Sequence, residues 1–271
     1  LGESQKNGEK MTARVPEIKK AGLVGYGKLA KHLAPALVKC GIEINQWCIR
    51  NRDDHETVFQ RYDVVAVNDL RLMSDASDII LLLVNDQAIG EVGRQLGIRQ
   101  CLVCHTSGMT SVNILPQENT GVFYPLNTFN GFNTAWDYNT PIFLHAKKDK
   151  SLEALMALAG SLSHQVQIIA PMDLHIVHLA AVLAQNFSNH LIAQAEEILQ
   201  AHQLDRRLIH PLLKTMVDNL NTTPAKANQT GPAVRRDQNT IDHQLNQLES
   251  DPALYDIYKK LTESIQSYTF H

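Results

Sequence analysis

Apolar positions between residues 18 and 170 fall into short runs separated by amphipathic stretches. "IKKAGLVGYG" (18–27) reads as a strand entering glycines, and "KLAKHLAPALVKCG" (28–41) as a helix closed by Gly41. "IEINQWCIR" (42–50) is a second strand, "DDHETVFQRY" (53–62) a short polar helix, and "DVVAV" (63–67) a third strand. "SDIILLLVND" (77–86) is apolar on both faces, as a fully buried fourth strand must be, and the helix "DQAIGEVGRQLG" follows it. "QCLVCH" (100–105) is the fifth strand. "TGVFYPLNTF" and "TPIFLHA" add two strand-like runs, and the helix "SLEALMALAGSLS" leads to the strand "QVQIIA" (165–170). Strands alternating with helices predict an α/β fold, with a mostly parallel sheet covered on both faces.

The pattern changes after Pro171. "MDLHIVHLAAVLAQNFSNHLIAQAEEILQAHQ" lacks proline and glycine for about thirty residues and predicts one long helix. The remainder is also helical, interrupted near "NTTPAKANQTGPAVRRD" (221–237), with Asp237 placed to start the final helix. The expected organisation is a polar tail over 1–17, a Rossmann-like domain over 18–170 and an all-α domain over 171–271. Met11, behind the polar "LGESQKNGEK", is a plausible natural start.

Composition narrows the classes. A formal charge of −3 provides no basic field for nucleic acid or for a membrane surface. The longest apolar run, "DIILLLV", has strand length, and four cysteines are too few for a disulfide scaffold. A cytoplasmic location is expected. Cys101-Leu-Val-Cys104-His105 has the spacing of a haem-attachment motif. Haem site, redox pair and buried strand are the three readings, and alternation along a strand, which sends the two cysteines to opposite faces, supports the last. His105 stands where that strand ends.

Candidate chemistry begins at "GYGKLA", where Gly25, Gly27 and Ala30 have G-x-G-x-x-A spacing between a strand and a helix. Gly25 permits the turn, Gly27 lets backbone approach a pyrophosphate, and Ala30 keeps helix and sheet close. Tyr26, Lys28 and Leu29 complete the loop, and the helix N-terminus supplies free N–H groups. At the end of the second strand an NAD site usually carries a carboxylate for the ribose diol. Arg50, Asn51 and Arg52 stand there instead and favour the 2′-phosphate of NADP. His175 and His178 form H-x-x-H, but no third ligand accompanies them, and no metal is expected.

"HTSG" (105–108), "YPLNTF" (124–129), "HLAAVLAQNFSNHL" (178–191) and "QTGPAVRRD" (229–237) follow the glycine loop in order. Together they resemble the bacterial NADP oxidoreductases that pair a Rossmann-like domain with a helical domain of unknown function. That family is related to pyrroline-carboxylate reductase, prephenate dehydrogenase and the phosphogluconate and β-hydroxyacid dehydrogenases. The resemblance implies that Val84, Asn85 and Asp86 pass the cofactor's ribose and nicotinamide. It places the His105 turn beside the nicotinamide, Tyr124 at the substrate, and Thr230 and Gly231 of "QTGPA" where pyrroline-carboxylate reductase receives the substrate carboxylate. Gly231-Pro232 forces a turn there, and Arg235 and Arg236 bring the charge that would make the loop an anion clamp over cofactor or substrate. The catalytic Lys and Asn of β-hydroxyacid dehydrogenases fall at Gln185 and Asn189, and glutamine cannot act as an acid.

On an unbroken helix His178, Gln185 and Asn189 lie within roughly 40° of one another. The expected chemistry is hydride transfer to or from a small, anionic carbonyl, imine or alcohol substrate. His105 or His178 moves the proton, and Ser107 and Asn189 orient the reacting group. The helical domain is expected, by analogy, to form a homodimer. A non-catalytic NADP-binding regulator or scaffold is the alternative.

Overall fold

A computed structural model describes residues 17–50, 56–130 and 135–268. The chain divides into two compact units, one running to Val182 and the other beginning at Leu183.

The first unit contains an eight-stranded sheet in the order β3-β2-β1-β4-β5-β6-β7-β8. Its strands are β1 Lys20–Val24, β2 Glu43–Cys48, β3 Val65–Val67, β4 Ile79–Leu82, β5 Leu102–His105, β6 Thr120–Pro125, β7 Ile142–Ala146 and β8 Val166–Ile168. All neighbours run parallel except β6 and β7, which pair antiparallel. The mostly parallel α/β architecture is therefore as the hydrophobic pattern predicts.

Helices α1 (Lys28–Lys39), α2 (Glu56–Tyr62), α3 (Asp86–Leu96) and α4 (Asp149–Leu162) cover the sheet, and α5 (Pro171–Ala181) completes the unit. Along β4 the period of two is plain. Ile79 and Leu81 join the core under α1 and α4, while Ile80 and Leu82 join the opposite core under α3. Every β4 side chain is buried, which is why its run carries no polar residue.

The same alternation decides the cysteines. Cys104 packs in the first core and Cys101 against the second. Both are free thiols. Burial, with Asp75 second, pushes Cys101 up to about 12, and burial also raises Cys104. Thiols on opposite sides of the sheet, held protonated, form neither a haem attachment nor a redox pair.

The expected single helix after Pro171 is interrupted. A π-helical segment, Val182–Phe187, separates α5 from α6 (Ser188–Ala201), and the division between the units falls within it. The second unit continues with α7 (His210–Asn219), the one-turn α8 (Pro232–Arg235), α9 (Gln238–Gln247) and α10 (Pro252–Ser267). Asp237 does cap a helix, its side chain accepting from Thr240 N, but that helix is α9 and α10 still follows.

Candidate active site

The sheet order reverses direction of travel between β1 and β4, and a crevice opens there at the carboxyl ends of the strands, where open α/β sheets bind ligands. A cavity of about 920 Å³ occupies that place. Gly25, Tyr26 and Gly27 form one wall, Arg50 stands at the β2 end, and Val84 and Asn85 lie beyond β4.

The two glycines do different work. Gly25 has φ +96°, and a Cβ there would lie 2.5 Å from the Leu83 carbonyl oxygen. A Cβ on Gly27 would meet only that same oxygen, at 3.9 Å, so protein packing does not demand glycine there. What glycine leaves open is the cavity itself.

Gly27 also caps α1 without a side chain and no acidic residue occupies the first turn, so the leading amides and the dipole's positive end remain for an anion. Lys28 is exposed, whereas Leu29 packs against the core and Ala30 is fully buried, close to the sheet. Trp47 Nε1 donates to the Gly25 carbonyl at 2.9 Å, and the Tyr26 ring meets Trp47 edge-on, which holds the loop to β2. The cradle fits a dinucleotide pyrophosphate. Asn51 and Arg52 lie outside the described residues.

Sequence reasoning missed the fourth wall: Asn68, Asp69, Leu70 and Arg71, which follow β3 and line the same cavity. The available signal was an Asp two residues before an Arg directly after a short apolar strand.

Beyond β5 the His105 turn departs from expectation. His105 is fully buried, and its Nδ1 accepts from Ser107 N at 3.2 Å. That leaves the proton on Nε2, which has no partner among the described residues. Burial, opposed by Asp86, holds the imidazole down at about 4. A neutral, enclosed histidine is a poor proton carrier at pH 7, so the expected role of His105 in proton transfer does not fit. Ser107 is committed as well. Its Oγ accepts from the amides of Met109 and Thr110 and donates to Thr110 Oγ1 at 2.9 Å, so it shapes the turn instead of orienting a substrate.

Tyr124 and His178 do come together. Tyr124 Oη lies 2.9 Å from His178 Nδ1. Tyr124 stands on β6 near its carboxyl end, and its ring rests on Gly108, where a Cβ would come within 2.9 Å of Cζ. Leu174, one turn before His178 on α5, is buried with Val112, Val122 and Phe143, which fixes that helix face on the sheet. Burial first, then Asp86, raises the Tyr124 hydroxyl and keeps it protonated at neutral pH. Asp86 itself opens α3 next to the cavity residues Val84 and Asn85.

Gln185, Asn189, Thr230, Gly231 and Arg235 all belong to the second unit. The π segment breaks the 100° period on which a common face of His178, Gln185 and Asn189 depends. Gly231 takes φ +108° ahead of Pro232, and Arg235 ends α8 close enough to Asp237 to lower its carboxyl, behind the larger effect of the Thr240 bonds.

A glycine-cradled crevice at the switch point of a parallel sheet defines a Rossmann-type NAD(P)-binding protein. The family described as NADP oxidoreductase, coenzyme F420-dependent, matches residues 20–103, and a domain of unknown function, DUF2520, matches residues 140–265. A putative NADP oxidoreductase of Bacteroides fragilis is 30% identical, with 93% of this chain and 99% of that one covered at a TM-score of 0.85. The chain belongs to this family of NADP oxidoreductases with a DUF2520 domain.

An imine reductase of Myxococcus stipitatus, solved with NADP+, shares the fold at 13% identity and a TM-score of 0.63, with 92% of each chain covered. A 1-pyrroline-5-carboxylate reductase of Streptococcus pyogenes does so at 13% identity and 0.61, with 92% of this chain and 98% of that one covered. None of the curated proteins matches the chain.

Proposed function

We propose that the protein is an NADPH-dependent reductase of a small C=N or C=O substrate, with Tyr124 as proton donor and His178 as its proton source. The Tyr124–His178 hydrogen bond at the carboxyl edge of the sheet is the observation that carries this reading. The fold shared with imine and pyrroline-carboxylate reductases favours C=N, and an anionic group on the substrate remains part of the proposal. Bound NADPH supplies the hydride, which goes to the unsaturated carbon. Tyr124 Oη gives its proton to the nitrogen or oxygen that gains the electron pair. His178 Nδ1–H then returns a proton to Tyr124, and solvent restores the histidine. A pair of this kind replaces the lysine that this chain lacks at Gln185.

Arg50 at the cavity supports NADP over NAD. A homodimer through the helical unit is also proposed. Among the described residues of that unit only Ala233 and Ile241 are buried apolar side chains, while Leu208, Leu212, Met216 and Leu220 are exposed. So much apolar surface calls for a partner, and a second copy offers the same surface.

Tyr124→Phe is expected to lower kcat by about 10²- to 10⁴-fold while NADPH affinity stays within twofold. Steady-state rates on a panel of cyclic imines and carbonyls, paired with NADPH titration calorimetry, measure both. Undiminished kcat in the variant would remove Tyr124 from the chemistry. NADPH binding with no turnover across the panel would favour a regulatory or scaffold protein.

A further inference from the structure

The 68–71 segment has a role that the glycine loop and Arg50 leave open. β2 and β3 are paired in parallel with Cys48 opposite Val67. Arg50 and Asp69 each lie two residues beyond that pair, so the register delivers them to adjacent strand ends, and both line the cavity together with Arg71. Asp69 is built to hold Arg71. Its Oδ1 accepts from Arg71 N at 2.9 Å and Nε at 3.0 Å, and its Oδ2 accepts from Nε at 3.0 Å and Nη2 at 2.6 Å. The turn is clamped from behind, where Arg99 Nη2 donates to the carbonyls of Leu70 and Arg71 at 3.3 and 3.2 Å.

This geometry has a chemical consequence. A carboxylate beside an adenosine ribose ordinarily accepts from its 2′- and 3′-hydroxyls and selects NAD. Asp69 cannot do so freely, because its oxygens are taken up by Arg71. A guanidinium has five N–H groups, and the bonds to Asp69 use one edge of it. The opposite edge, carrying both Nη1 hydrogens and one on Nη2, is a fork of the width that phosphate oxygens accept.

We propose that Arg71, braced by Asp69, is a specificity-determining residue that binds the 2′-phosphate of NADP jointly with Arg50. Two cations from neighbouring strand ends then face one dianion, and Asp69 acts as a positioning residue that fixes the angle of the fork. The proposal rests on the NADP reading above and names a residue that the second-strand pattern does not contain.

The test is calorimetric titration of the full-length protein with NADPH, NADH, 2′,5′-ADP and 5′-AMP. Wild type should bind NADPH and 2′,5′-ADP more tightly than NADH and 5′-AMP. Arg71→Ala should weaken the two 2′-phosphorylated ligands by about ten- to hundredfold and leave the other two within twofold. Arg71→Lys, which keeps the charge and loses the fork, should fall between. Asp69→Asn should weaken NADPH and spare NADH.

Unchanged 2′,5′-ADP affinity in Arg71→Ala overturns the proposal, and so does an Asp69→Asn variant that loses NADH instead of NADPH. Wild-type protein that binds neither nicotinamide nucleotide overturns the NADP reading itself, and this failure is seen before any variant is made. Arg71 is largely exposed, so its variants should melt with the wild type, which separates lost binding from lost fold.

Discussion

His105 shows how placement can reverse what a residue type suggests. Histidine at a strand end invites a proton-transfer role, but burial lowers this one to about 4 from an ordinary 6.5. Between those values the unfolded chain binds a proton that the folded chain refuses, so unfolding free energy rises with pH across the window. The stability is fully present above about 6.5 and is lost as pH falls toward 4, on the order of 3 kcal/mol at 1.36 kcal/mol per unit. Thermal melts from pH 7.5 to 4.5 should show this loss, and His105→Asn should flatten the slope even if it lowers the melting temperature throughout. Gly108 is the other residue whose meaning depends on a neighbour. Its added Cβ would press on the Tyr124 ring at 2.9–3.1 Å. Gly108→Ala is therefore expected to cost about 1–3 kcal/mol of stability and to lower kcat at least tenfold by shifting Tyr124 from His178, with NADPH affinity unchanged. Chemical denaturation and single-turnover rates measure the two effects separately.

At the level of elements, the β1–α1 junction carries the sharpest contrast. Both glycines belong to one motif, yet packing demands glycine at Gly25 and leaves room for a side chain at Gly27. Gly25→Ala must place a Cβ at positive φ and 2.5 Å from the backbone oxygen of Leu83, just beyond β4. A loss of about 2–5 kcal/mol in denaturant melts follows. Gly27→Ala should melt like the wild type but bind NADPH at least tenfold more weakly, because its methyl points into the space where a pyrophosphate would approach. Equal melting temperatures for the two variants would contradict the division of labour. The long helix after Pro171 teaches the opposite lesson. Its composition is that of a regular helix, and the π segment at Val182–Phe187 has no Pro or Gly to announce it. An i→i+5 stretch is a rare local departure from the α-helical ladder, which residue propensities do not encode.

For the whole molecule, the two units differ in how far they can stand alone. The first has two large cores, one on each side of its sheet, and a smaller cluster around Leu174. The second exposes Leu208, Leu212 and Met216, and Leu212 is 70% accessible. If a second copy covers this face, Leu212→Asp should shift the mass in solution from dimer to monomer and lower the melting temperature. Light scattering behind size-exclusion chromatography reads the mass, and a wild-type monomer would remove the dimer from the proposal. The divide at 182/183 also assigns α5, and with it His178, to the unit that holds the cavity, where the compositional change at Pro171 would have separated them.

The sequence by itself determined the order of the strands and helices, the buried centre at β4, the glycine cradle and the cofactor class. These follow from periodicities of two and 3.6 residues and from glycine's special backbone, all of which are local properties. It also carried Tyr124 and His178 as separate candidates. Only the tertiary structure decided that they form a pair 2.9 Å apart across 54 residues of chain, and that His105 is walled in. Only the register of β2 against β3 brought Asp69 and Arg71 to the wall that Arg50 shares. Desolvation, pairing and shared cavities depend on distances between residues remote in the chain, and those distances exist only once the sheet has formed.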